Sequence, residues 1–165
     1  MIKIQVGKIR DHFNMISDGV WISLPCDDLQ KRLDSIAWDE KQRCFLDITI
    51  TNGKAPFFVS GFDDPHEVNE KAKRLEEVWV RLTFEEVKAA LEVMNVDELL
   101  GCYQELTFVE GQNYSDLGVT IADEHCLLEK YDEFIHRYFD YDSFGRDLVL
   151  GGDFRQANDY FVSGF

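Results

Sequence analysis

The acidic charge of this chain is concentrated in its second half, and this limits how the chain can fold. Residues 1–82 contain 14 acidic and 12 basic residues, whereas residues 83–165 contain 18 acidic and 5 basic residues. The whole chain has a formal net charge of −15. Carboxylates at this density repel one another, so a stable fold has to spread them over an exposed surface. Solubility alone is an ordinary reason for such a surface.

Hydrophobic periodicity predicts both strands and helices. The chain is 45% hydrophobic, which is enough for a packed core and argues against disorder of the whole chain. Alternating apolar residues predict strands over residues 2–6, 19–24 and 44–50, with a loop over residues 52–56. Asp27 and Asp28 precede a short amphipathic helix. The first part of the chain is therefore predicted to be a small sheet with a helix on it.

The rest of the sequence predicts helices first and a mixed segment last. Asp64-Pro65 begins a helix whose buried face includes Trp79, and a second helix follows Thr83. Residues 103–109 resemble a strand, Asn113 or Ser115 caps a further helix, and the tail from Asp147 is interpreted as short strands. The clearest helical pattern is at i, i+3, i+4 and i+7, formed by Tyr131, Phe134, Ile135 and Tyr138.

This order of elements predicts the α+β class. We expect three small subdomains: a sheet with a helix in residues 1–62, helices in residues 63–101, and a mixed α/β part in residues 102–165.

A catalytic or metal site is hard to find in the sequence. Paired metal ligands at C-x-x-C or H-x-x-x-H spacing do not occur, and His136 is better explained as a surface ion pair with Asp132. Cys26 follows Pro25 near a helix N-terminus, where a thiol pKa can fall, but a structural role is the simpler interpretation. We therefore expect no enzyme activity, no cofactor and no metal.

The composition also bears on partners and location. Lys and Arg in the second half are too scattered to bind DNA phosphates directly. We expect no membrane segment, because no apolar run approaches ~20 residues. The absence of a signal peptide and of a cysteine framework predicts a cytoplasmic protein with reduced thiols.

Three sequence patterns resemble the ArdA antirestriction family. Residues 138–148, Y-F-D-Y-D-S-F-G-R-D-L, are similar to its C-terminal signature, and residues 151–154 with their aromatic tail also fit. Residues 19–29, G-V-W-I-S-L-P followed by D-D-L, are similar to its N-terminal element. With the matching length, the resemblance covers nearly the whole chain.

The resemblance implies a function and an assembly. ArdA proteins are cytoplasmic homodimers of three small domains in an elongated, curved arrangement, and they are carried by mobile elements. They act as DNA mimics that occupy the DNA-binding site, in the methyltransferase core, of type I restriction–modification enzymes. We expect the same here, although the nearly neutral residues 1–82 depart from the family's usual acidity.

The resemblance also points to site residues. In the signature, Tyr138, Tyr141, Phe144 and Leu148 are expected in the core, and Gly145 is expected to supply an unusual backbone angle. Phe108 and Tyr114 are candidates for the dimer interface, and Phe108 is as readily explained as ordinary core. The carboxylates expected to contact the enzyme are Glu85, Glu86, Glu92, Asp97, Glu98, Asp116, Asp123, Glu124, Glu129, Asp132, Asp140, Asp142 and Asp153.

Two other functions remain open from the sequence. The acidic surface would also suit a module that binds basic nucleoid or other DNA-binding proteins. A metal-dependent enzyme built from acidic and histidine side chains is the third hypothesis, and it requires stoichiometric metal in the purified protein.

Overall fold

The structure, a computed structural model, describes residues 2–9, 19–41 and 43–165, and it confirms the α+β class. The chain divides into two compact units, Met1–Phe84 and Glu85–Phe165. The division into three subdomains stays a prediction. The elements of the first unit are β1 (Ile2–Lys8), β2 (Val20–Leu24), α1 (Leu29–Ala37), β3 (Trp38–Asp39), β4 (Cys44–Phe45), β5 (Ile48–Lys54), α2 (Pro65–Arg74) and a 3-10 turn (Val78–Val80).

An antiparallel sheet in the order β2-β1-β5 forms the base of the first unit. The register places Ile4 opposite Ile22, and the alternation predicted for β1 buries Ile2, Ile4 and Val6 on one face. Leu29 and Leu33 of α1 are buried with them, since α1 packs on β1 and β5. The sheet and the helix on it agree with the prediction for this part of the chain.

Helix α2 begins as the sequence predicts. The carboxylate of Asp64 accepts a hydrogen bond from the backbone N–H of His66, and Pro65 occupies the first helical position. Buried Asn69 links this helix to the segment after β2: its Oδ1 accepts from the Cys26 N–H at 2.8 Å, and its Nδ2 donates to the Cys26 carbonyl at 3.1 Å. This pair of bonds satisfies a polar side chain that would otherwise be costly to bury.

The second unit combines helices with a three-stranded antiparallel sheet in the order β6-β8-β7. Its core contains Val109, Leu117, Ile121, Phe154 and Phe161, with Leu148 and Val149 partly buried against them. Its elements are α3 (Phe84–Val93, beginning in the last residue of the first unit), α4 (Val96–Cys102), β6 (Thr107–Glu110), α5 (Tyr114–Glu124), α6 (Glu133–His136), α7 (Tyr141–Gly151), β7 (Arg155–Ala157) and β8 (Tyr160–Ser163).

Two glycines allow α5 and α7 to approach closely. A Cβ added at Gly145 would lie 1.9 Å from the carbonyl oxygen of Tyr114, and one at Gly118 would lie 2.1 Å from that of Tyr141. The contact therefore joins backbone to backbone. The expectation of an unusual backbone angle at Gly145 was wrong, because this residue lies inside α7 and has no positive φ.

The predicted strand over residues 44–50 is interrupted. The Leu46 N–H donates to the carbonyl of Ala37, and the Asp47 carbonyl accepts from the Ile9 N–H, so β4 and β5 are separate strands. The turn predicted near residues 52–56 begins later than expected, because β5 continues to Lys54.

Three helix boundaries also differ from the prediction. Helix α2 ends at Arg74, so Trp79 lies beyond it and stacks on Phe84 with the ring centroids 6.1 Å apart. Residues 103–105 form a turn that continues α4, and β6 therefore starts only at Thr107. The segment from Asp147 is part of α7 up to Gly151, and Gly152 ends that helix with a φ of 87°.

The clearest predicted helix is reduced to the single turn of α6. Asp132 and Asp140 each adopt the N-cap position of a separate helix, which divides residues 131–140. Tyr131, Phe134, Ile135 and Tyr138 are all exposed, so the periodicity does not mark a buried face here. The expectation that Tyr138 belongs to the core was wrong.

Candidate functional site

The thirteen predicted carboxylates all lie in the second unit, and eleven of them are exposed. Glu86 and Asp116 are the two half-buried members. The structure thus spreads the acidic residues of the second half over a surface, as their mutual repulsion requires.

Four of these carboxylates take part in capping helix N-termini. Asn95 and Glu98 form a reciprocal capping box at α4, and Asn113 and Asp116 form one at α5. Asp132 caps α6. These carboxylates therefore stabilise the fold in addition to carrying charge.

Asp140 is the N-cap of α7 and accepts two hydrogen bonds from one residue. Its carboxylate accepts from the backbone N–H of Ser143 at 2.9 Å and from the Ser143 hydroxyl at 2.8 Å. These bonds lower the pKa of Asp140 below its usual range, and the bond from the backbone N–H makes the larger contribution. The negative charge at the start of α7 is therefore secured by the local structure.

A second set of carboxylates lies at the surface outside the capping positions. Glu92 of α3 accepts a hydrogen bond from the side chain of Asn158. The exposed members with no capping role are Glu85, Glu92, Asp97, Asp123, Glu124, Glu129, Asp142 and Asp153.

The second unit also has an acidic open cleft of about 900 Å³. Tyr160 lines it, and burial raises the pKa of its phenol, with further contributions from the surrounding carboxylates. Two of these, Glu110 at the end of β6 and Asp159 in the turn before β8, are absent from the predicted set. Helical periodicity is the sequence pattern that places carboxylates on one exposed face, and it does not extend to residues at strand ends and turns. The lining residues are Glu85, Glu110, Gly111, Gln112, Asn113, Asp116, Val119, Thr120, Asp159 and Tyr160.

The two candidates for the dimer interface also pack within their own unit. Phe108 meets Tyr160 edge to face with centroids 6.3 Å apart, and Tyr114 lies 6.2 Å from Phe161. Both are half-buried, so part of each ring is already used in the core. Their role between two copies stays a prediction.

The side chains considered for catalysis or metal binding have structural partners. The Cys26 thiol donates a hydrogen bond to Asp28 Oδ1 at 2.8 Å. Burial is the larger cause and this bond the second cause of a raised pKa for the thiol. A nucleophilic cysteine needs a lowered pKa instead. His136 donates from Nε2 to the carbonyl of Leu128 at 3.0 Å, so the predicted ion pair with Asp132 was wrong. Among the described residues, no group of three or more His, Cys, Asp or Glu side chains is arranged to hold a metal ion. Of the four histidines in the sequence, His12 lies outside the described residues.

The comparisons with known proteins identify the family. Residues 6–163 match the model of a family described as antirestriction proteins. Because the match spans almost the entire chain, this protein belongs to that family, ArdA, whose function is antirestriction and whose members inhibit restriction enzymes. A comparison with curated proteins gave no match. None of the helices in the described ranges has the length and apolar character to span a membrane.

Proposed function

We propose that this protein is a DNA mimic that occupies the DNA-binding site of a type I restriction–modification enzyme, in its methyltransferase core. The observation that carries the proposal is the exposure of eleven of the thirteen predicted carboxylates on the second unit of an ArdA family member. Duplex DNA presents one phosphate charge per ~1.7 Å of axis, and a protein surface dense in carboxylates can replace part of that array.

The mechanism is competition by charge and shape. Basic side chains of the enzyme that neutralise phosphates would pair with carboxylates of the second unit, without bond making or breaking in the inhibitor. The secured negative charge of Asp140 supports this, because its local hydrogen bonds favour the ionised form. Since opposite charges at a surface are screened by salt, binding should weaken as ionic strength rises.

The assembly belongs to the same proposal. We infer that two copies form a homodimer in the cytoplasm, with the exposed parts of Phe108 and Tyr114 near the contact. A dimer would double the number of carboxylates available to one enzyme.

The test is displacement of labelled DNA from a purified type I methyltransferase core at low and moderate salt. We expect the wild-type protein to displace the DNA, with an apparent affinity that falls as salt rises. Failure to displace DNA at any salt concentration, with the protein folded and in excess, would contradict the proposal. Displacement of DNA-bound nucleoid proteins instead would favour the acidic interaction module.

A pair of matched variants separates surface position from total charge. The first changes six exposed carboxylates of the second unit to amides, and we expect it to weaken displacement more than ~10-fold and to flatten the salt dependence. The control changes six exposed carboxylates of the first unit and should have a smaller effect. Equal losses would contradict a mimic surface centred on the second unit. The variant carries amides at Glu85, Asp123, Glu124, Glu129, Asp142 and Asp153, and the control at Asp27, Glu40, Asp47, Glu67, Glu76 and Glu77.

A further inference from the structure

Five large apolar side chains are exposed close together in sequence within the acidic unit. We call this set the apolar strip: Leu127, Tyr131, Phe134, Ile135 and Tyr138, whose exposed fractions run from 43% to 73%. Isolated exposed apolar residues are ordinary, but five within one short segment, two of them in ring contact, are typical of a contact surface.

Local hydrogen bonds hold the strip in place. The His136 ring donates to the carbonyl of Leu128, and the Tyr138 N–H donates to the carbonyl of Ile135. The rings of Phe134 and Tyr138 are in contact, with centroids 4.8 Å apart. The apolar groups are therefore presented by a fixed turn rather than by a chain end.

The charges around the strip identify the chemistry of its partner. Residues 123–142 contain seven acidic residues and two basic ones, Lys130 and Arg137. Arg137 is already paired with Glu133, at 3.2 Å. A second copy placed here would bring like charges together, whereas a surface rich in Lys and Arg would be attracted.

We propose that the apolar strip is the hydrophobic part of the contact with the basic DNA-binding face of the target enzyme. Guanidinium and ammonium groups drawn in by the carboxylates would stack on the rings of Phe134 and Tyr138. This inference rests on the proposed function, and it adds ring and apolar contacts that are less screened by salt than the surrounding exposed ion pairs.

The experiment compares salt dependences, because apolar contacts and ion pairs respond differently to salt. Phe134→Ser, Tyr138→Ser and the double variant are tested for displacement of labelled DNA from the methyltransferase core at several salt concentrations. We expect each single variant to lose about 10-fold in affinity, the size of effect common for a central aromatic residue at an interface. The slope of log affinity against log salt should match that of the wild type.

The matched control is Phe58→Ser in the first unit. Phe58 is 86% exposed, and residues 55–61 around it carry no charge. We expect this variant to displace labelled DNA as well as the wild type does. Thermal unfolding and circular dichroism of all variants verify that they are folded, which is expected because each replaced side chain is exposed.

The outcomes separate this inference from the proposed function. If the wild type and the strip variants displace DNA equally well, the apolar contact is overturned and the proposed function stands. A fall in oligomer mass in the strip variants, measured by analytical ultracentrifugation, would instead assign the strip to a second copy and overturn the inference. Wild-type protein that displaces no DNA would overturn both.

Discussion

Asp116 and Asp123 show how two acidic residues on one helix can serve different purposes. The carboxylate of Asp116 accepts from the backbone N–H groups of Gln112 and Asn113, at 2.8 and 3.2 Å, at the start of α5. Asp123 is exposed in the last turn of the same helix, where a negative charge meets the negative end of the helix dipole. Sequence spacing alone assigns both to the same surface.

Replacing each of these residues by Ala should therefore affect stability differently. Asp116→Ala removes a capping box, and we expect the free energy of unfolding to fall by about 1–2 kcal/mol. Asp123→Ala should change it by less than about 0.5 kcal/mol, in either direction. Urea denaturation measures both, and equal destabilisation by the two variants would contradict the capping role.

Asp140 provides a pH-dependent contribution to stability. Its pKa is lower in the folded protein, mainly through the Ser143 backbone N–H, than in the unfolded chain. The stabilisation is therefore fully present above the unfolded value of ~3.9 and is lost as pH falls through the lower folded value.

We expect Asp140→Asn to be less stable than the wild type at pH 7, with a difference that shrinks as pH falls below the unfolded pKa of ~3.9. Denaturant unfolding of both proteins across this range measures the difference. A gap that stays constant with pH would show that the ionised carboxylate is not the source of the stabilisation.

At the scale of elements, the contact of α5 with α7 fixes the geometry of the second unit. A side chain at Gly145 has no space, because the Tyr114 carbonyl lies where its Cβ would be. Gly101 is a useful contrast, since a Cβ there meets nothing within 4 Å in helix α4.

Gly145→Ala should force the helices apart and lower the free energy of unfolding by about 3 kcal/mol or more. Gly101→Ala should raise it by about 0.5–1 kcal/mol, because alanine favours the helix. Thermal and chemical unfolding check both values. A tolerated Gly145→Ala would mean that the close helix contact is absent.

The same elements show what the sequence can predict. The alternation of apolar residues was sufficient to predict β1 and β2, and the cap at Asp64 was sufficient to predict the start of α2. Both signals depend on local preferences of the chain. The role of Gly145 was not predictable, because it depends on the backbone of a distant residue. Likewise Glu110 and Asp159 line one cleft only because β6 and β8 pair.

Periodicity was least informative over residues 131–138. A repeat at helical spacing shows that apolar side chains share a face, but it does not show that this face is covered. Here two aspartate caps shorten the helix and leave the repeat exposed. The sequence signal was real, and its interpretation as core was wrong.

At the scale of the whole molecule, the two units differ in charge more than in fold class. Each combines an antiparallel sheet with helices, yet nearly all of the acidic excess is in residues 83–165. A nearly neutral first unit is consistent with an inhibitor whose electrostatic field is centred on the second unit, where the apolar strip also lies.

The backbone contact at Gly118 and Gly145 has a practical consequence for engineering. The buried side of α5 includes Gly118, where the helix meets α7, whereas Val119, Asp123 and Glu124 are exposed and are not committed to packing. These exposed residues can be substituted while the helix pair remains intact. The second unit therefore offers a scaffold on which acidic arrays can be designed to imitate polyanions such as sulfated polysaccharides.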